Sequence, residues 1–123
     1  MTQSPANTLV WSEIPVRDLD RGMAFYGKVF DRELTRDDSG PNPMVVLSME
    51  GASANLYPGK PARPGEGPTL HLAVPDTLEA AADRCAKAGG TLKGDPIAIP
   101  HGRFQYALDP DGNSIGLFEP VKG

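Results

Sequence analysis

Residues 58–68 read Pro58-Gly59-Lys60-Pro61-Ala62-Arg63-Pro64-Gly65-Glu66-Gly67-Pro68. Proline lacks the backbone N–H that a helix or sheet ladder needs, and glycine is costly to order in either. A run that interleaves them cannot continue regular structure and is expected to be a semi-rigid linker. It divides the chain of 123 residues near its middle. The two flanking segments then invite comparison as repeats.

Upstream, Thr8 to Val16 has the β-branched and aromatic content of a strand, with Pro15 near its end, where a missing donor is tolerated. Asp18 is the expected N-cap of a helix whose apolar stripe is Leu19, Met23, Tyr26 and Phe30. Glu33 to Arg36 reads as a short strand and Asp37 to Pro43 as a loop. Met44 to Met49 and Ala52 to Tyr57 read as two strands of a hairpin turning at Glu50-Gly51. Downstream the pattern restarts. Thr69 to Val74 reads as a strand. Asp76, with Glu79 three residues on, has the form of a capping box. Leu78, Ala81, Ala82 and Cys85 form a helical apolar face, closed by Gly89-Gly90. Thr91 to Ile99, Phe104 to Leu108 and Ser114 to Phe118 read as strands, the last two joined by the strong turn Asp109-Pro110-Asp111-Gly112-Asn113.

Both halves therefore share one order: strand, helix, then about three strands. Val16-Arg17-Asp18 before the first helix echoes Val74-Pro75-Asp76 before the second. Asn55-Leu56-Tyr57-Pro58 echoes Gly116-Leu117-Phe118-Glu119-Pro120. Each half alone exposes a sheet face, so the two are expected to bury a shared interior as one α+β domain.

Composition narrows the function classes. Hydrophobic content of 39% and charged content of 23% are those of a globular chain. No apolar run is long enough to span a bilayer, and Met1 to Ala6 is too short and polar for a signal peptide. A net charge of −4 without a basic stripe argues against nucleic acid as a partner. The single cysteine, Cys85, has no internal disulfide partner, which suits the cytoplasm.

In the order and spacing of certain pieces the sequence resembles the vicinal oxygen chelate superfamily, which includes glyoxalase I, bleomycin-resistance proteins and extradiol dioxygenases. The pieces are Glu13-Ile14-Pro15-Val16 with Asp18-Leu19, Phe25-Tyr26 with Val29-Phe30, Gly89-Gly90, and Asp109 to Asn113 followed by Ile115-Gly116-Leu117. Asp31 stands where relatives usually carry glycine, and aspartate tolerates the left-handed region better than most residues. The resemblance covers about Thr8 to Pro120. It implies two βαβββ modules, about 8–58 and 69–120, forming a cupped mixed sheet around a cavity. It also implies four metal-ligand positions in metal-dependent members, which fall here on Trp11, Asn55, Thr69 and Gly116. None is His, Glu or Cys, the donors that first-row metals and zinc prefer. If the register slips by two, His71 replaces Thr69, still a single imidazole. The expectation is a chain that needs no metal or other cofactor.

Glu13 and His71 stand at equal offsets from Val16 and Val74. Trp11 and Glu13 share a strand face by the period of two, so Glu13 and His71 are candidate acid–base groups facing one cavity. Each is equally readable as a hydrogen-bonded polar group in a half-buried sheet. Trp11, Asn55, Tyr57, Thr69 and Phe118 are candidate ligand contacts. Phe104 and Tyr106 are further candidates, of which one is expected to face inward. His101 is expected on a surface turn, and Cys85 as an inert core thiol. Three functions remain open. One is binding of a small, partly aromatic molecule without metal. Another is a metal-independent lyase or isomerase using Glu13 and His71. The last is a metal-dependent glyoxalase or dioxygenase with a rearranged ligand set in which Glu119 joins them. Relatives of this size commonly pair, so a homodimer is expected.

Overall fold

The computed structural model of the protein describes residue 9 and residues 11–48 and 52–121. The elements are β1 (Trp11–Val16), α1 (Leu19–Val29), β2 (Arg36–Asp37), β3 (Met44–Val46), β4 (Ser53–Pro58), β5 (Leu70–Ala73), α2 (Leu78–Lys87), β6 (Thr91–Ile99), β7 (Gly102–Leu108) and β8 (Ser114–Pro120). They form two four-stranded mixed sheets, ordered β1-β4-β3-β2 and β5-β8-β7-β6. In each, the first strand of the βαβββ unit runs parallel to the last and the remaining pairs are antiparallel. The repeat extends to the ladder, because Glu13 pairs with Asn55 as His71 pairs with Gly116.

One face of each sheet is covered by helix. Ile14, Val16, Val45, Ala54 and Leu56 of the first sheet, and Ala107, Ile115 and Leu117 of the second, are buried in one core with Phe25, Val29, Leu78, Ala81 and Cys85. The helices pack on each other, and Arg84 Nε donates to the Val29 carbonyl at the end of α1. The apolar stripe of α1 differs from the expected one. Leu19, Gly22, Phe25, Tyr26 and Val29 are its buried residues, and Met23 is only half-buried at its flank. At about 100° per residue the buried set is centred between Gly22 and Val29, which turns Met23 aside.

Helix caps also separate expectation from outcome. Asp18 caps α1 as expected, accepting from Arg21 N. For α2 the cap is Thr77, which accepts from Ala80 N, and not Asp76. Asp76 is instead drawn to the Arg84 guanidinium at 2.8 and 2.9 Å, and Glu79 reaches out to Arg103. A capping residue whose carboxylate finds a bidentate arginine gives up the backbone donor to its neighbour. Gly89 takes φ 101° after the α2 C-cap, and Asp31 takes φ 52° after α1, the left-handed values expected of both. Strand boundaries shift by a few residues. Pro58 closes β4 instead of belonging wholly to the linker, and the short strand after α1 falls on Arg36–Asp37. The turn at Glu50-Gly51, Met1 to Ala6 and Thr8 lie outside the described residues.

The linker is tied down, with Gly65 N donating to the carbonyl of Gly112 in the β7–β8 turn. That turn is the main polar joint between the two units. Asp109 accepts from Asp111 N and Asn113 N through Oδ1, and from Tyr26 Oη and Asn113 Nδ2 through Oδ2. Asn113 Nδ2 also donates to the Pro15 carbonyl. Asp111 accepts from Arg17 N and from the Arg21 guanidinium at 2.8 Å. A turn read in the sequence as a local connection thus fastens β8 to the end of β1 and the start of α1.

Candidate functional site

The faces turned away from the helices carry the chemistry. On the second sheet, alternation places His71 of β5, Gly116 and Phe118 of β8, and Phe104 and Tyr106 of β7 on one open face. The His71 ring lies edge-on to Phe104 at 4.8 Å and to Tyr106 at 5.8 Å between centroids, while Phe104 and Phe118 stack at 6.3 Å. Phe104 and Tyr106 therefore share this face, correcting the expectation that one of them faces in. Residues two apart on a strand point the same way, and Gln105 between them is the buried one. Gly116 is the reason the imidazole can lie where it does. A Cβ there would meet His71 Nδ1, and would lie 2.6 Å from Cε1 and 2.8 Å from Cγ.

On the first sheet the open face carries Trp11 and Glu13 of β1 with Asn55 and Tyr57 of β4. Trp11 donates from Nε1 to Asn55 Oδ1 at 2.8 Å, which explains how Asn55 is only 4% exposed while Trp11 itself is 39% exposed. Glu13 is exposed and lines a cavity of about 430 Å3 with Met44, Asn55 and Tyr57. His71 borders a different cavity, described below, and among the described cavities none is lined by both residues. The two side chains thus hold equivalent positions on the two sheets, and each borders its own cavities among those of the described residues.

The positions that would carry metal ligands do not fit a metal. Trp11 presents an indole N–H that already donates to Asn55. Thr69 shares a 2.5 Å hydrogen bond with Ser114 Oγ, and position 116 has no side chain. Glu119, the extra carboxylate of the rearranged set, is engaged elsewhere. It accepts from Leu78 N at 2.7 Å and from Arg103, contacts that also hold its carboxyl below the usual range. Among the described residues no three of His, Cys, Asp and Glu are grouped as a metal site would need. His101 sits exposed in the β6–β7 turn. Cys85 is buried, and burial, with a smaller contribution from Asp109, pushes its thiol up to about 11, so it offers neither a thiolate ligand nor a nucleophile.

Sequence reasoning passed over Phe104 and Tyr106 as a pair, and it gave no role to Gly116 beyond an absent ligand. The alternation was available for the first. The second needed the ladder, since only the pairing of residue 71 with residue 116 shows that the missing side chain makes room for the ring.

No helix among the described residues is long and apolar enough to cross a membrane. No curated protein matches the chain at a significant level. Solved structures do. A glyoxalase/bleomycin resistance protein from Albidiferax ferrireducens superposes with a TM-score of 0.75 at 21% identity, covering 94% of this chain and all (100%) of that one. A fosfomycin resistance protein from Mesorhizobium loti gives 0.67 at 18% identity, covering 96% and 95%. An antibiotic binding protein from a Streptomyces species gives 0.63 at 26% identity, covering 97% and 100%. Each shows the same fold. The family model described as Glyoxalase/Bleomycin resistance protein/Dioxygenase superfamily matches residues 8–117. With that match across most of its length, and with both sheets built as its repeat requires, the chain belongs to the glyoxalase/bleomycin resistance/dioxygenase superfamily.

Proposed function

We propose that the protein binds a small, partly aromatic organic molecule on the open faces of its sheets, and that it does so without a metal. The observation that carries this reading is the cluster of His71, Phe104, Tyr106 and Phe118, whose rings lie on the sheet face opposite the one that α1 and α2 bury. Tyr106 is 40% exposed and Ile97, across the ladder from Phe104, is 43% exposed. Exposed rings already held edge to face lose little freedom on stacking against a planar ligand. One structural neighbour of the same fold is an antibiotic binding protein. The donor set described above supports the absence of metal.

Trp11 is the sole tryptophan and lies on the open face of the first sheet, so its emission reports on ligands there. Titration with quinoline, naphthol and flavone, read by Trp11 emission and thermal shift, is expected to show saturable binding by at least one. Phe104→Ala and Tyr106→Ser are expected to weaken it at least tenfold, about 1.4 kcal/mol, and EDTA to leave it unchanged. Binding that survives both substitutions, or that EDTA abolishes, counts against the reading.

One observation favours a second reading, a metal-independent lyase or isomerase: the repeat places Glu13 and His71 at equivalent ladder positions. In that case Glu13→Gln and His71→Asn abolish turnover of a bound compound while leaving its affinity within a few-fold. We also propose a homodimer, in which a second copy covers part of these open faces. Light scattering over a dilution series should then give about twice the chain mass of 13.1 kDa, and a monomer at micromolar concentration refutes it.

A further inference from the structure

A second cavity, of about 350 Å3, lies where β5 passes the end of α1 and the start of β4. Its apolar lining includes Phe30, Leu34, Leu47 and Leu72, and Ser53 contributes a hydroxyl. Among the described residues Arg32 is its one arginine, and no carboxylate lines it. That is unusual in a chain with 16 acidic residues and a net charge of −4. Among the described residues three other cavities each include a carboxylate: Glu33 and Asp37 in one, which Arg32 also borders, Glu13 in another, and Glu13 with Glu66 in a further one.

Arg32 also stands apart from most of the arginines. Arg17 and Arg21 hold Asp111, Arg36 holds Asp20 and Asp38, Arg84 holds Asp76, and Arg103 holds Glu79 and Glu119. Among the described residues the Arg32 guanidinium has no carboxylate partner, although Asp31 and Glu33 are its neighbours in sequence. The chain turns sharply there. Asp31 adopts φ 52°, and Arg32 N donates back to the Gly27 carbonyl at 2.9 Å. Of these three consecutive charged residues, only Arg32 contributes to the cavity.

We propose that this cavity is a binding site for a small organic carboxylate with an apolar body. The carboxylate would lie against Arg32, and the body on the leucines and Phe30. A guanidinium matches a carboxylate with two parallel hydrogen bonds, and does so best where no protein carboxylate competes and part of the surround is apolar. The volume is at the small end of ligand pockets, which suits a single ring or a short branched chain. The cavity shares His71 with the open-face cluster, but its anchor is Arg32, which the open-face reading does not use.

The test uses the full chain and two probes of nearly equal shape, 4-phenylbutyrate and its neutral amide, 4-phenylbutyramide, titrated by calorimetry at low and at moderate salt. The acid is expected to bind at least tenfold more tightly than the amide, with the difference shrinking as salt rises. Arg32→Gln is expected to bring the two probes to the same weak affinity, and Arg32→Lys to retain part of the preference. Arg63→Gln serves as the charge-matched control. Arg63 also has no ion-pair partner among the described residues, but it does not line the cavity, so its replacement should leave the preference intact. Equal affinity for acid and amide, a preference that survives Arg32→Gln, a preference lost in Arg63→Gln, or no binding of either probe at millimolar concentration overturns the proposal.

Discussion

Replacing Asp109 by alanine is expected to destabilise the protein by about 3–5 kcal/mol, a large share of the roughly 5–15 kcal/mol that holds a domain folded. Asp109 is 3% exposed and accepts four hydrogen bonds, from Tyr26 Oη, Asn113 Nδ2 and the backbone N–H groups of Asp111 and Asn113. Alanine leaves the buried Tyr26 hydroxyl without its acceptor and opens the turn that also holds Pro15 and Gly65. Each stranded buried donor costs about 1–3 kcal/mol. Tyr26→Phe removes one donor and leaves the rest of the turn, so it should cost only about 1 kcal/mol. Urea unfolding measures both, and an Asp109→Ala variant within about 1 kcal/mol of the parent would show that the turn does not join the two units.

The same contact carries an alkaline signature. Burial, and then the Asp109 charge, raise the Tyr26 hydroxyl well above its ordinary value of 10.0. The unfolded chain can therefore ionise this group at a pH where the folded chain cannot. Its contribution is fully present below pH 10 and is lost as pH rises from there toward the folded value. Tyr26→Phe should flatten that part of the stability profile.

The turn illustrates what a single sequence reveals and what it hides. Proline, glycine and asparagine between two apolar runs announce a turn because each has a local conformational reason to be there. The partners of Asp109 and Asp111 are Tyr26, Arg17 and Arg21, roughly ninety positions away in the chain, and no local preference encodes them. The repeat was legible for the opposite reason. Strand, helix and linker patterns are local and recur, and equal offsets from Val16 and Val74 placed Glu13 and His71 at equivalent ladder positions. The α2 cap failed because Asp76 and Thr77 are both good capping residues, and the choice between them was made by Arg84, about two turns along the helix. At the candidate site, the types of residue on the open faces followed from alternation. Their separation into distinct cavities depends on how the two sheets sit against each other, and local pattern carries no information about that.

Gly116→Ala is expected to weaken ligand binding on the second sheet's open face at least tenfold while leaving the chain folded, and His71→Ala is expected to suppress the damage to stability. The argument begins with the added Cβ, which would run into the His71 ring and nothing softer. Gly116 is buried and paired in the ladder with both His71 and Tyr106, so the backbone has little room to yield. The imidazole must rotate away instead, giving up its edge contacts with Phe104, Tyr106 and Phe118. Overpacking of this kind costs about 1–3 kcal/mol. In the double variant the ring is absent, the Cβ meets no imidazole, and Gly116→Ala should add less than about 0.5 kcal/mol to whatever His71→Ala costs alone. The shortfall from additivity measures the clash directly. Ligand affinity should behave otherwise: Gly116→Ala, His71→Ala and the double variant should all bind at least tenfold more weakly, because each removes the same ring from the same face. If the two substitutions are additive in stability, the imidazole does not lie over residue 116. If affinity survives Gly116→Ala, the ring cluster is packing and the ligand sits elsewhere.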